Sequence, residues 1–468
     1  MTMHSRPRAH AAIKSLSPFI LAAAGMLLAA AASAQETPAA PSGEEPVFPS
    51  VLAPLAAPKN PGPGNPAPDN PAPKPKPKRK PAPPRETALS DDPTPALQPE
   101  TFFATAKAAE RYAAIVDRGG WPRVGVKLNP GAKGAAVLAL RRRLAAEDEE
   151  VATTGAAFDA ALVQAVKRFQ FRIGLRQTGI VAGVTLQALD VPAEARQRQL
   201  AASAQRLSGV QFPYGPRYVV VNIPSTAVDA VEGDRVVRRY AAIVGGPEHH
   251  SPELSAKIMA ININPTWTVP VSIIKNEIAP KMQHDPKYLS RMHIRVLNHQ
   301  GEEVDPGRID WSSDRALSYT LRQDSGAQNS LGSIRISMPN SHAVYMHDTP
   351  SRNLFANDYR FLSHGCVRVQ GVNELALWLM QDAQGQWDAE TLKAKIASGE
   401  PEEVRLKNPV PVVWVYMTGW ASADGTVHFR DDVYGVDAVD SEVSDVLDSE
   451  ITQTIPPARA SQPSAARP

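Results

Sequence analysis

The spacing of apolar side chains changes twice along this chain, and the changes mark its parts. Between Thr101 and Arg198 apolar positions recur at helical intervals. "KGAAVLALRRRLAAE" (Lys133–Glu147) brings Val137, Leu140 and Leu144 to one face. "FDAALVQAVKRFQFRIGL" (Phe158–Leu175) does the same with Leu162, Ala165, Val166 and Phe169, and Gly174 is placed to end that helix. "VAGVTLQALDVP" adds a short third helix, stopped by Pro192. The pattern predicts a small all-α three-helix domain over residues 101–198.

From Tyr218 the period shortens. "RYVVVNIP", "DRVVRRYAAIVGG" and "AKIMAININPTWTVP" are rich in β-branched residues and bounded by turn formers. "SHAVYMHDT" alternates, with Val344 and Met346 on one face and Tyr345 and His347 on the other. Residues 210–438 therefore read as a mainly-β domain with attached helices such as "GVNELALWLMQDA". Between Ser272 and Asn329 the pattern is poor. "IIKNEIAPKMQHDPKYLSRM" is interrupted by Pro280 and Pro286, and "NHQGEEVDPGRIDW" reads as a loop. An insert near 274–328 in a β domain is expected to be a lid or a binding loop. No internal repeat is present.

The ends of the sequence differ in kind. His4, Arg6, Arg8 and Lys14 precede an apolar run from Leu16 to Ala32, and Ala32-Ser33-Ala34 precede Gln35. That order predicts a signal peptide over 1–34, cleaved on export. The run is short for a membrane span and contains Pro18. Residues 35–98 are proline-dense, as in "PGPGNPAPDNPAPKPKPKRKPAPPR", and read as an extended, disordered linker. Its Lys74, Lys76, Lys78, Arg79 and Lys80 fit a solvated spacer. Residues 439–468 are acidic, then Pro- and Ala-rich, and are expected to be a disordered tail. The chain is thus expected to be multidomain, exported to the periplasm or cell envelope, and without a transmembrane segment once cleaved. A net charge of +2 gives no ground for a nucleic-acid partner.

Export sharpens the meaning of Cys366, the one cysteine in 468 residues. It cannot pair within the chain, so it is either buried and inert or a reactive thiol. Its neighbours, Ser363-His364-Gly365, favour the second. A nucleophilic thiol needs a general base and a stabilised thiolate. Gly365 lets a substrate backbone approach, and the N–H groups of Gly365 and Cys366 are candidates to donate to an oxyanion. Asn373 is placed to cap a helix whose start lies near the thiol. His347, at the end of the alternating strand, is the expected base, oriented by a backbone carbonyl near Asp348. His364 is expected to be a local structural residue. Arg368 is read either as a substrate-carboxylate anchor or as half of an ion pair. Tyr345 either lines the cleft or packs. A zinc site built from His347, His364, Cys366 and Asp348, with His249 and His250, is the rival. It lacks any close H-x-x-x-H or C-x-x-C spacing, so no metal and no cofactor are expected.

The arrangement H-x15-S-H-G-C-V-R resembles the signature of the L,D-transpeptidases, which cross-link peptidoglycan. The resemblance extends to "NSLGSIRISMPNSHAVYMHDTP" (Asn329–Pro350), "ININPTWTVPVSI" (Ile261–Ile273) and "YMTGWASADGTVHFRDDVYG" (Tyr416–Gly435). Asn329 and Gly332 join the candidates for substrate binding on this ground. The helical unit is similar to a peptidoglycan-binding module. The chain departs from the family pattern at His249-His250-Ser251-Pro252, where a threonine is expected before the proline. It departs also in "LRQDSGAQNSLG" and "SIRISMPN". The resemblance implies that Cys366 is the nucleophile and His347 the base. The thiol would attack the L,D-peptide carbonyl of a tetrapeptide stem, expel D-alanine and form a thioester. An acceptor amine, from diaminopimelate of another stem or from an envelope protein, would then take the acyl group. Water as acceptor would make the same site an L,D-carboxypeptidase. A non-catalytic peptidoglycan-binding protein is the alternative without chemistry.

Overall fold

The computed structural model describes residues 85–437. The expected signal peptide, the linker before residue 85 and the tail after 437 lie outside the described residues. Among the described residues no helix is long and apolar enough to cross a membrane.

The helical part holds five helices: α1 (Thr101–Asp117), α2 (Ala135–Ala145), α3 (Ala160–Arg172), α4 (Gly183–Leu189) and α5 (Ala193–Ser208). The three read from the sequence are α2, α3 and α4. Their predicted faces are the buried ones: Val137, Leu140, Leu144, Leu162, Val166 and Phe169 share one core. Asp159 caps α3 by accepting from Leu162 N–H at 2.9 Å. A buried ion group anchors the unit. Glu147 accepts from the Tyr112 hydroxyl at 2.6 Å and from Arg143 at 2.7 Å, with Arg172 at 3.3 Å. Burial alone would raise that carboxyl, but the two guanidiniums outweigh it and hold it at about 2.

The β part contains β1 (Arg217–Asn222), β2 (Ala227–Glu232), β3 (Arg235–Gly245), β4 (Leu254–Ile263), β5 (Trp267–Val269), β6 (Ile294–Leu297), β7 (Thr320–Gln323), β8 (Ile334–Ser337), β9 (Met346–His347), β10 (Phe361–Ser363), β11 (Val367–Val369) and β12 (Glu402–Val415). Pairing runs β3-β11-β9-β8-β4-β12-β1-β2 and returns from β2 to β3, so eight strands close on themselves, with β10 added beside β3. Closure removes the free edges that an open sheet exposes. In β1, Val219 and Val221 face the interior core while Tyr218 and Val220 face a second cluster with Leu97 and Leu207. Burial on both faces explains why "YVVV" is apolar without alternation.

The stretch of poor pattern is a packed subdomain. It comprises a short α6 (Val271–Ile273), a π turn (Ile274–Ile278), α7 (Ala279–His284), α8 (Tyr288–Arg291) and the small sheet β5-β7-β6. Ile273, Ile274, Ile278, Met282, Leu289, Val296 and Leu321 are buried in the same core as the barrel. The sequence hides this because its apolar residues are spread over several short, broken elements. Two more helices, α9 (Val372–Met380) and α10 (Ala389–Ser398), follow β11.

Two parts differ from the sequence reading. Residues 85–98 fall in the expected disordered linker, yet they are a fixed strap. Arg239 donates to the carbonyls of Ser90, Asp92 and Thr94 at 3.0 Å each, and Leu97 is buried. These bonds give a proline-rich backbone the partners it cannot supply to itself. The C-terminal hairpin β13 (Gly419–Ala421) and β14 (Val427–Phe429) belongs to the helical core, where Ala421, Val427 and Phe429 pack. Arg430 donates to the carbonyl of Arg172 at the end of α3, which places a cation at a helix C-terminus.

Candidate active site

Strands β9 and β11 run parallel, with Met346 opposite Val367 and His347 opposite Arg368. The pleat sends alternate residues to opposite faces, so Tyr345 and His347 share a face with Arg368. Cys366 precedes β11. Its sulfur accepts the Tyr345 backbone N–H at 3.3 Å, and the Val367 N–H reaches the Tyr345 carbonyl at 3.1 Å. The topology therefore gathers the thiol, the imidazole and a guanidinium in one place. All are enclosed: Cys366 is 0%, His347 2% and Arg368 3% exposed.

The turn before the thiol is held by its own side chains. Ser363 Oγ donates to the Cys366 carbonyl at 2.6 Å and accepts the Gly365 N–H at 3.2 Å. Ser251 Oγ, accepting from Gly245 N–H at 2.9 Å, donates to the Gly365 carbonyl at 2.6 Å. Gly365 has φ of 111°, a conformation only glycine adopts without strain. The Gly365 N–H, a candidate oxyanion donor, is engaged by Ser363 Oγ in this structure. The helix after the thiol is also displaced. Gly371, rather than Asn373, precedes α9. The three residues of β11 carry the chain roughly 10 Å from Cys366 before α9 begins.

His347 Nδ1 is hydrogen-bonded to the Asp348 carbonyl, as expected. That bond places the proton on Nδ1 and leaves Nε2 as the basic nitrogen. Nε2 is buried and has no hydrogen-bond partner. Burial, then the charge of Arg368, lower the imidazole to about 3, so it is neutral at ordinary pH. Arg368 is itself lowered to about 10 by burial, against the opposing pull of Cys366 and Glu277.

Four candidates for substrate contact are engaged with neighbouring residues. The Asp348 carboxylate accepts from Ser333 N–H at 3.0 Å, Ser333 Oγ at 2.9 Å and Arg352 at 3.1 Å. Gly332 lies under it: a Cβ there would stand 2.5 Å from Asp348. Asn329 donates to the carbonyls of Pro265 and Asp324 and accepts from Leu331 N–H, so its amide is consumed in its own loop. Tyr345 is 5% exposed, with its ring edge-on to His347 at 5.7 Å and Arg335 over it at 5.2 Å.

Beside the enclosed pair is an open cleft of about 300 Å³, lined by His249, Glu277, His342, Val344 and His364, among others. His364, expected to be merely local, faces this space. Its ring stacks on His249 at 3.7 Å, and burial, then His249 and Arg368, lower it to about 4. His347 and His364 thus sit in different surroundings, and the rival ligand set is not gathered around one point. Among the described residues, no group of three or more His, Cys, Asp or Glu side chains is placed to hold a metal ion.

Comparison with known proteins bears on this architecture. Residues 216–412 match the L,D-transpeptidase catalytic domain, and residues 133–189 match a peptidoglycan binding domain. Over those stretches the chain is similar to the L,D-transpeptidase family. It is 34% identical over 242 residues to a Haemophilus influenzae protein named as an L,D-transpeptidase. That match covers 51% of this chain and 48% of the other, so the chain spans about half the length of the curated relative it matches. A solved L,D-transpeptidase from Xylanimonas cellulosilytica is 18% identical, covering 63% of this chain and 98% of that one, with a TM-score of 0.21. Another, from Stackebrandtia nassauensis, is 13% identical, covering 63% and 96%, with a TM-score of 0.24. Superpositions at that level carry no argument.

In this chain the sequence reading missed several contributors. Ser251 falls in the His249–Pro252 departure and ties that loop to the thiol turn. Tyr434, far along the chain, braces the same loop. Its hydroxyl donates to the Gly245 carbonyl at 2.8 Å and accepts Ser251 N–H at 3.1 Å, and its ring stacks on His250 at 3.9 Å. Arg335 and Glu277 sit in segments whose pattern carried no catalytic signal.

Proposed function

We propose that the chain is an exported L,D-transpeptidase of the cell envelope that works on peptidoglycan tetrapeptide stems through a Cys366 thioester. His347 accepts the thiol proton at Nε2 as the sulfur attacks the carbonyl between the L- and D-centres. The resulting imidazolium protonates the leaving D-alanine amine. Arg368 supplies a fixed positive charge beside the developing thiolate. An acceptor amine then attacks the thioester, giving the new amide and free thiol. Water in place of the amine would release tripeptide from the same intermediate. The helical unit, with its peptidoglycan binding domain match, holds the chain on its polymeric substrate.

The observation that carries this reading is the convergence of the Cys366 sulfur, the unpartnered Nε2 of His347 and Arg368 on one pair of adjacent strands. The test is incubation with purified disaccharide-tetrapeptide, followed by mass spectrometry of protein and products. An acyl adduct on Cys366 without terminal D-alanine, and cross-linked dimers, are expected. Turnover that survives Cys366→Ala sinks the proposal.

A further inference from the structure

We propose that Glu277 is the residue that receives the acceptor amine and takes its proton. This rests on the Cys366 thioester reading and names the group that serves its second half.

The cleft containing Glu277 is walled in part by near neighbours of the thiol in sequence. It is lined by His364, two residues before Cys366, and by Val344, next to Tyr345, whose N–H touches the sulfur. An incoming acceptor has this space to occupy, while His347 and Cys366 lie enclosed. Glu277 is carried on the π turn Ile274–Ile278, a form that appears mostly as single turns at functional sites. Ile274 and Ile278 are buried and fix that turn, while the Glu277 side chain remains 22% exposed.

The carboxylate is poorly served by its neighbours. Lys281 stands 3.4 Å from one oxygen and His364 Nε2 3.9 Å from the other. Charge-assisted bonds are normally about 2.7–2.9 Å. A half-buried carboxylate held by one long ion pair to a part-exposed lysine can exchange that partner for an incoming ammonium. Its surroundings favour proton uptake too: burial raises the Glu277 carboxyl against the opposing pull of Lys281, His249 and Arg368. The His364 ring, neutral at ordinary pH, adds no positive charge beside it.

The chemistry requires such a group. An acceptor amine reaches the site as an ammonium, which has no lone pair to give. Glu277 binds it and takes one proton. The nitrogen lone pair then forms the C–N bond at the thioester carbonyl. The C–S bond breaks and the sulfur leaves with its electron pair. The second nitrogen proton passes by way of His347 to the thiolate, and Glu277 releases its own proton to solvent through the cleft. The site's products are one amide and one thiol.

The test separates the two halves. Glu277→Gln and Glu277→Asp are given disaccharide-tetrapeptide, with D-methionine as the free amine, near pH 7. Acyl-adduct formation on Cys366 is measured in the same reactions and is expected to fall far less than amine transfer. The ratio of D-methionine-ended product to hydrolysed tripeptide is expected to fall by about 10²-fold in Glu277→Gln. It should recover in part in Glu277→Asp, and in Glu277→Gln as pH rises toward the amine's own pKa. A wild-type ratio in Glu277→Gln overturns the proposal. Absence of any adduct in the wild-type protein removes the thioester reading and this inference with it.

Discussion

The backbone N–H of Tyr345 points at the sulfur of Cys366 from 3.3 Å, so the strand that carries His347 also holds the thiol. That single contact ties nucleophile and base to adjacent strands rather than to independent loops. Replacing His347 by Gln keeps a polar, neutral side chain in the same volume and removes the base. Acylation by the tetrapeptide should slow by about 10²–10⁴-fold. The check is the rate of appearance of the adduct mass, with Cys366→Ala as the zero.

Stability should fall in acid for a definite reason. His347 and His428 are buried and lowered to about 3, and His364 to about 4, each chiefly by burial. Unfolded, each would titrate near 6.5. The unfolded form therefore binds more protons below that value, and stability present above about pH 6.5 is lost as pH falls toward 3. Glu147, held at about 2, adds to the loss below about 4.5. His428→Phe should remove up to one proton of this slope, about 1.4 kcal/mol per pH unit. Denaturant midpoints at a series of pH values test it; an unchanged slope counts against the buried-neutral assignment.

Gly332 should tolerate no side chain. Its φ is 63°, and a Cβ would meet Asp348 at 2.5 Å. Gly332→Ala is expected to cost about 1–3 kcal/mol and to displace the Asp348 carbonyl that orients His347. A fall in melting temperature together with slower acylation is the expected pair of results. A lower melting temperature with normal acylation would detach Gly332 from the imidazole.

How much of this was legible beforehand differs by residue. Cys366 and His347 stand out because a lone thiol and a fixed motif need no tertiary information. The barrel strands show through their β-branched runs. Glu277 does not, because a π turn inside a broken helical stretch has no periodicity to read. Tyr434 is equally silent, since its meaning is a contact with Gly245 and Ser251, nearly two hundred residues away in sequence. Asn329 and Gly332 stand in a motif whose sequence does not reveal the contacts they make with Pro265, Asp324 and Asp348.

Access to the thiol gives a further test. Cys366 is fully enclosed and shares its core with Ile273, Ile274 and Ile278 of the insert. A bulky thiol reagent should label the resting protein far more slowly than the unfolded chain. Ile278→Ala should cost about 2–5 kcal/mol locally and speed that labelling. Equal rates in the two proteins would mean that the insert does not govern entry.

The hairpin at Gly419–Phe429 has a consequence for how this chain can be taken apart. The polypeptide leaves the helical unit after α5, builds the barrel, and comes back to finish the helical interior with Ala421, Val427 and Phe429. No single cut frees one piece from the other. An engineer wishing to exchange the helical portion must make two joints and carry the returning hairpin along. Tension applied to that portion would be delivered to the barrel at both of those joints.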